Sequence, residues 1–143
     1  MRAYFDSNLL VSYFLGQHQE SLINGLLKKS ASCAFVIVTS DVVFAEIEQV
    51  CGERARMLRQ DFIDEFKALG KLSIVKRDAQ ALEEALALNE KTNARYGLND
   101  FTHVLLAKKH ADLFVTNDLK FKKMASEHIQ TRDAGEFSRL LQP

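Results

Sequence analysis

Residues 3–8, Ala3-Tyr4-Phe5-Asp6-Ser7-Asn8, read as a short apolar strand that stops on a carboxylate and passes to turn and helix-capping residues. Leu9, Leu10, Val11, Tyr13 and Phe14 follow at spacings that suit a helix packed on a sheet. Strand, acid, helix is the order that sets an acid at the carboxyl edge of an open α/β sheet, where sites form. Near the other end, Leu113-Phe114-Val115-Thr116-Asn117-Asp118 repeats the pattern. Two such edges side by side gather carboxylates, whereas either one alone reads first as a plain helix cap.

Between the two stretches the chain alternates strands and helices. Gly16 breaks the first helix, and Glu20 to Lys29 reads as a second with Leu22, Ile23, Leu26 and Leu27 on one face. Ala34 to Val38 is a continuous apolar run, as expected of a parallel strand buried on both faces. Thr39-Ser40 then caps a helix whose apolar face is Val43, Phe44, Ile47 and Val50, with Glu46 set within it. Glu53 to Leu69 continues helical through Leu58, Phe62, Phe66 and Leu69 and stops at Gly70. Leu72 to Val75 is the third strand, and Asp78 caps a helix that faces the core with Ala81, Leu82, Ala85, Leu86 and Leu88 and runs to about Tyr96. Asn99 is the natural cap of the next helix, with Asp100 in its first turn and Phe101, Val104, Leu105 and Leu106 apolar. After strand four, Leu113 to Thr116, come a basic helix at Lys120 to Ser126, a brief strand at Ile129 to Thr131, and a last helix capped by Asp133. The expectation is an α/β protein, a three-layer α/β/α sandwich with a mostly parallel sheet.

The 143 residues fit one domain spanning 1–143, with Pro only at Pro143 and hence no proline-rich linker. Lys and Arg number 19 against 19 for Asp and Glu, so no bulk field draws in a polyanion and any nucleic-acid contact must be local. Cys33 and Cys51 are too few for a disulfide framework and are expected as free, buried thiols. The chain opens directly into its first strand, and no apolar run approaches the ~20 residues that span a bilayer. No membrane partner and a cytoplasmic protein are expected.

Four acids, Asp6, Glu46, Asp100 and Asp118, each stand just after a strand or in the helix that follows a loop. Carboxylates gathered this way repel one another and lose hydration, so a divalent cation is expected to neutralise them. Hard oxygen ligands, with Ser7 and Asn117 nearby, favour Mg²⁺ or Mn²⁺ over zinc. Such an ion lowers the pKa of a water and stabilises charge on a phosphoryl oxygen, which is the chemistry of a hydrolytic nuclease.

The sequence resembles the PIN-domain nucleases, in particular the VapC-like toxin ribonucleases, over essentially its whole length. The resemblance rests on Phe5-Asp6-Ser7-Asn8, on Ser40 with Glu46 six residues later, on Asn99-Asp100, and on Val115-Thr116-Asn117-Asp118 followed by Phe121. It implies a PIN fold with strand order 3-2-1-4-5. It further implies an endoribonuclease site in which Asp6, Glu46, Asp100 and Asp118 bind Mg²⁺ or Mn²⁺ and are catalytic. Ser7, Asn8, Thr116 and Asn117 would be its supporting polar groups. A homodimer and an antitoxin partner are also implied. Phe101-Thr102-His103 departs from the family, many of whose toxin members carry small residues after the third acid.

Each assignment has a plainer rival. Asp6 and Asp118 are also capping residues, an acid such as Asp100 suits any first helical turn, and His103 reads as a packed or surface histidine. Lys120 and Lys122 lie close enough to Asp118 in sequence to reach RNA phosphates, although a solvated charge group is the simpler reading. A binding module that keeps the scaffold without catalysis is the competing function. A phosphoacceptor receiver, which wants adjacent acids after its first strand and a Lys near its last, fits poorly, as does an Asp-x-Asp phosphohydrolase, since Asn8 stands where its second acid would be.

Overall fold

The computed structural model describes residues 1–16, 20–32, 34–93 and 95–143, with backbone alone at 54 and 55. Its strands are β1 (Arg2–Phe5), β2 (Val36–Ser40), β3 (Leu72–Val75), β4 (Leu113–Val115) and β5 (Thr131–Arg132). Its helices are α1 (Ser7–Leu15), α2 (Glu20–Ala31), α3 (Asp41–Ala68), α4 (Ala79–Lys91), α5 (Leu98–His110), α6 (Leu119–Ala125) and α7 (Ala134–Leu140). The five strands are hydrogen-bonded in the order β3-β2-β1-β4-β5, and every pairing is parallel. This is the expected strand order. The chain runs outward from β1 through β2 to β3 and then back across to β4 and β5, so the connections change direction beside β1.

Alternation along β1 assigns its side chains to the two layers. Tyr4 meets Phe114 at 5.5 Å between ring centroids, and Phe114 meets Phe121 edge-on at 5.4 Å. Phe5 points the other way, against Phe35 at 5.8 Å and Phe137 at 6.2 Å. Asp6 follows one residue later and returns to the Tyr4 side. The register pairs Tyr4 with Phe114 and with Val38, so continuing two residues brings Asp6 level with Thr116 and Ser40. The strand ends therefore meet where the site is expected.

The helices follow the sequence with informative shifts. Gly52 interrupts α3 at φ 65°, ψ −155°, a conformation open to glycine and strained for other residues, which divides the helix. Beyond that kink Phe62 and Phe66 are buried, whereas Leu58 and Leu69, expected on the same face, are exposed, as are Val50 and Leu86. Only a narrow stripe of each helix is covered by the layer beneath it. Ile23, Leu26 and Leu27 of α2 are buried in the core and offer no outer surface. β2 begins at Val36 rather than at residue 34, and α4 ends at Lys91, short of Tyr96. β5 lies at Thr131–Arg132 rather than at residues 129–131. Cys51 is free and half-buried rather than buried, and Cys33 falls outside the described residues. Among the described residues no helix is long and apolar enough to cross a membrane.

Phe137 is fully buried and packs edge-on against Phe35 at 4.9 Å. Phe137→Ala should cost about 3–5 kcal/mol in denaturant unfolding, from lost burial and the cavity left behind. Met57 is 75% exposed, and Met57→Ala is expected to change stability by no more than about 0.5 kcal/mol.

Candidate active site

Asp6 follows β1 and is the N-cap of α1. Its side chain accepts from the Ser7 backbone N–H at 2.8 Å through Oδ1, which caps the helix. Its Oδ2 accepts from Thr116 Oγ1 at 2.8 Å and from the Asn8 amide at 3.3 Å, and Asn8 also donates to Thr116 at 3.2 Å. Thr116 in turn accepts from the Asp118 backbone N–H at 3.2 Å. Asn8 Oδ1 accepts from the Asn117 N–H at 3.4 Å, while Asn117 Oδ1 takes the N–H of Ala134 at 3.0 Å and ties the loop to α7. Ser7, Asn8, Thr116 and Asn117 thus form a polar frame around a carboxylate that is only 5% exposed.

Glu46 reaches the same place from α3. Its Oε2 accepts from Ser7 Oγ at 2.6 Å and its Oε1 from His103 Nε2 at 2.8 Å. The other ring nitrogen of His103 lies 2.9 Å from the Tyr4 hydroxyl, which is 2.7 Å from Ser40 Oγ. Asp6, Glu46 and His103 each offer a ligand atom, all within 4.8 Å of one another. His103, read from the sequence as a packing or surface residue, is buried but bonded into the acidic cluster.

Asp100 and Asp118 border this trio. Asp100 accepts from the Gly97 backbone N–H at 3.1 Å, and it is Gly97, not Asn99, that caps α5. Asn99 is thereby released, and it lines the same cleft as Glu46 and helps lower that carboxyl's pKa. Asp118 caps α6 by accepting from the Phe121 N–H at 3.1 Å, and its charge is felt by Asp100. Lys122, expected near RNA phosphates, instead pairs with Glu136 at 2.7 Å and Asp133 at 3.3 Å, so its ammonium tethers α6 to α7. Lys120 remains exposed.

A family model for the PIN domain matches residues 3–127. The chain belongs to the PIN domain family. Curated protein sequences contain no match. Among solved structures, VapBC2 from Rickettsia felis, bound to a DNA fragment from its promoter, is 21% identical with a TM-score of 0.66, over 93% of this chain and 98% of that one. Mycobacterium tuberculosis VapC20, described as a sarcin-ricin loop cleaving toxin, is 18% identical at TM-score 0.67, over 91% and 98%. FitAcB from Neisseria gonorrhoeae is 15% identical at TM-score 0.63, over 93% and 98%. These three share the fold.

The PIN site carries charge that burial makes costly. Burial raises the Asp6 carboxyl above its usual range, against the opposing pull of His103, Thr116 and the Ser7 N–H. Asp100 is likewise held up, by burial first and then by the charges of Glu46 and Asp118, despite the Gly97 N–H and His103. For Glu46, burial pushes upward, but the His103 hydrogen bond and charge, with Ser7 and Asn99, outweigh it and leave it below the usual range. Burial also presses His103 toward its neutral form, yet the bond to Glu46 and the charges of Asp6, Glu46 and Asp100 hold its pKa above the ordinary value. Besides the expected cation the acids have a second source of relief, because the His103 hydrogen bond favours the charged form of Glu46. Asp6, Glu46, Asp100 and Asp118 still outnumber that imidazole, and their oxygens suit a hard cation.

These shifts set a pH dependence for the ion-free protein. Stability from the raised His103 is fully present below its unfolded pKa and is lost as pH rises through its folded one. Asp6 and Asp100 act in the same direction, since the folded chain keeps protons that the unfolded chain has given up. Glu46 acts oppositely, and its contribution is lost as pH falls through its lowered pKa. Unfolding free energy measured in EDTA should fall as pH rises above about 6.5, and His103→Gln should flatten that descent. Equal slopes in the two proteins would assign the pH dependence to other groups.

Proposed function

We propose that this protein is a Mg²⁺- or Mn²⁺-dependent endoribonuclease, the toxin of a toxin–antitoxin pair, acting in the cytoplasm as one PIN domain. The observation that carries the reading is the convergence of Asp6 and Glu46, 40 residues apart in the chain, on one partly desolvated spot at the sheet's carboxyl edge. Asp100 and Asp118 stand beside it. All four acids are proposed to hold the ion, which when bound would activate a water and offset charge on the phosphodiester.

The chain's own groups prepare that site. Ser7, Asn8 and Thr116 hold Asp6 in one orientation, and Ser7 and His103 do the same for Glu46. Asn117 anchors the loop that presents Asp118. A cleft beside Glu46 is lined by Gln49, Arg77 and Asn99, which provide a cation and amides for an RNA backbone, with exposed Lys120 a further phosphate contact. The proposal of a toxin draws on the fold shared with VapC20 and with the VapBC2 and FitAcB assemblies. Val50, Met57 and Leu58 expose apolar surface on α3 that suits a second copy or an antitoxin.

A non-catalytic binding module has one observation in its favour, the hydrogen bonds from His103 and Ser7 that satisfy Glu46 within the chain. Cleavage assays separate the two readings. Single-stranded RNA should be cut in Mn²⁺ or Mg²⁺ and spared in EDTA, and Asp6→Asn should slow cleavage by about a hundredfold or more while the fold survives. Wild-type cleavage by Asp6→Asn would remove the nuclease proposal. Light scattering should give a dimer, and a monomer with and without RNA would count against that assembly.

A further inference from the structure

A line of hydrogen bonds passes through the core beneath the acidic cluster and starts and ends on the same helix. Val43 N–H donates to Ser40 Oγ at 3.3 Å, and Ser40 Oγ lies 2.7 Å from the Tyr4 hydroxyl. That hydroxyl is 2.9 Å from His103 Nδ1, and His103 Nε2 is 2.8 Å from Oε1 of Glu46, three residues beyond Val43. Ser40 and Tyr4 are fully buried and His103 is 1% exposed. The line joins the end of β2, the middle of β1 and the first turns of α5 and α3.

The chemistry of the last link sets the ring's orientation. An ionised carboxylate only accepts hydrogen bonds, so Nε2 carries the hydrogen whether the ring is neutral or charged, and Nδ1 faces Tyr4 in both states. Both ring nitrogens are thus committed, one to the core and one to Glu46. Glu46 is otherwise a long side chain on a helix, 25% exposed and free to choose among rotamers. His103 from below and Ser7 from the start of α1 hold it in one position, facing Asp6.

We propose that His103 is a positioning residue for the ion-binding acids, oriented through Tyr4 and Ser40, and is not itself an ion ligand. The proposal rests on the ion-dependent reading above. It explains why a bulky polar residue stands one turn after Asp100: from that position in α5 it reaches both the core hydroxyls and the carboxylate.

The test is titration of the whole chain with Mn²⁺, by calorimetry and by electron spin echo of the bound ion. It compares wild type with His103→Ala, His103→Gln and Tyr4→Phe, with circular dichroism to establish folding. Mn²⁺ affinity should fall about 10- to 100-fold in His103→Ala. His103→Gln, whose amide can donate from nearly the same place as Nε2, should recover most of it. Tyr4→Phe, which removes one oxygen without a cavity, should show a smaller loss, and wild type should show no ¹⁴N modulation from a directly bound imidazole. Wild-type affinity in a folded His103→Ala overturns the proposal. So does ¹⁴N modulation that disappears with His103, which would make it a ligand. Should His103→Ala not fold, wild-type affinity in Tyr4→Phe overturns it. A wild type that binds no Mn²⁺ sinks the ion-dependent reading and this proposal together, whereas the preceding outcomes leave that reading standing.

Discussion

The structure depends on keeping the charge of Asp6 where water scarcely reaches it. A carboxylate at 5% exposure is tolerable only if donors surround it. Ser7, Asn8 and Thr116 supply them, and they come from both sides of the β1–β4 junction. That junction exists because the strand connections reverse direction beside β1. The crevice left by the reversal is where Glu46 and the start of α5 can also approach. The fold and the site therefore share one constraint: the neighbours that β1 takes in the sheet are also the neighbours that make its terminal acid affordable.

Capping and chemistry are not alternatives here. Asp6 caps α1, Asp118 caps α6 and Asp100 accepts from the N–H of the N-cap Gly97 at α5. A carboxylate has two oxygens with several acceptor directions. One can hold a helix terminus while the group as a whole still faces its neighbours. Capping also fixes the backbone on which each acid sits, so the helix starts aim the acids toward one another. The plain reading of each acid supports the functional one.

His103 changes the electrostatic balance of the cluster. A set of carboxylates alone would force a choice between protonation and a bound cation. An imidazole bonded to Glu46 lets the ion-free protein keep some of its acids charged, while Asp6 and Asp100 remain displaced toward their protonated forms. Their displacement marks where positive charge is still wanted. Lys122 shows the contrary case, a cation near the acids in sequence whose charge is taken up by α7.

The strands, their order along the chain and the two strand-end acids were legible because they are written in local patterns, apolar runs and capping residues, whereas the break at Gly52 within α3 was not. The order 3-2-1-4-5 was legible through family resemblance, which the match over residues 3–127 supports for the fold. Local pattern also misled where a helix face is only partly covered, as at Val50, Leu58 and Leu86, because periodicity reports which residues share a face and not how wide its cover is. His103 held to Glu46, Asn99 freed from capping and Lys122 turned to α7 were decided only by the tertiary structure. Each depends on the distance between side chains on different elements, and spacing along one chain carries no information about that distance until the sheet has brought the elements together.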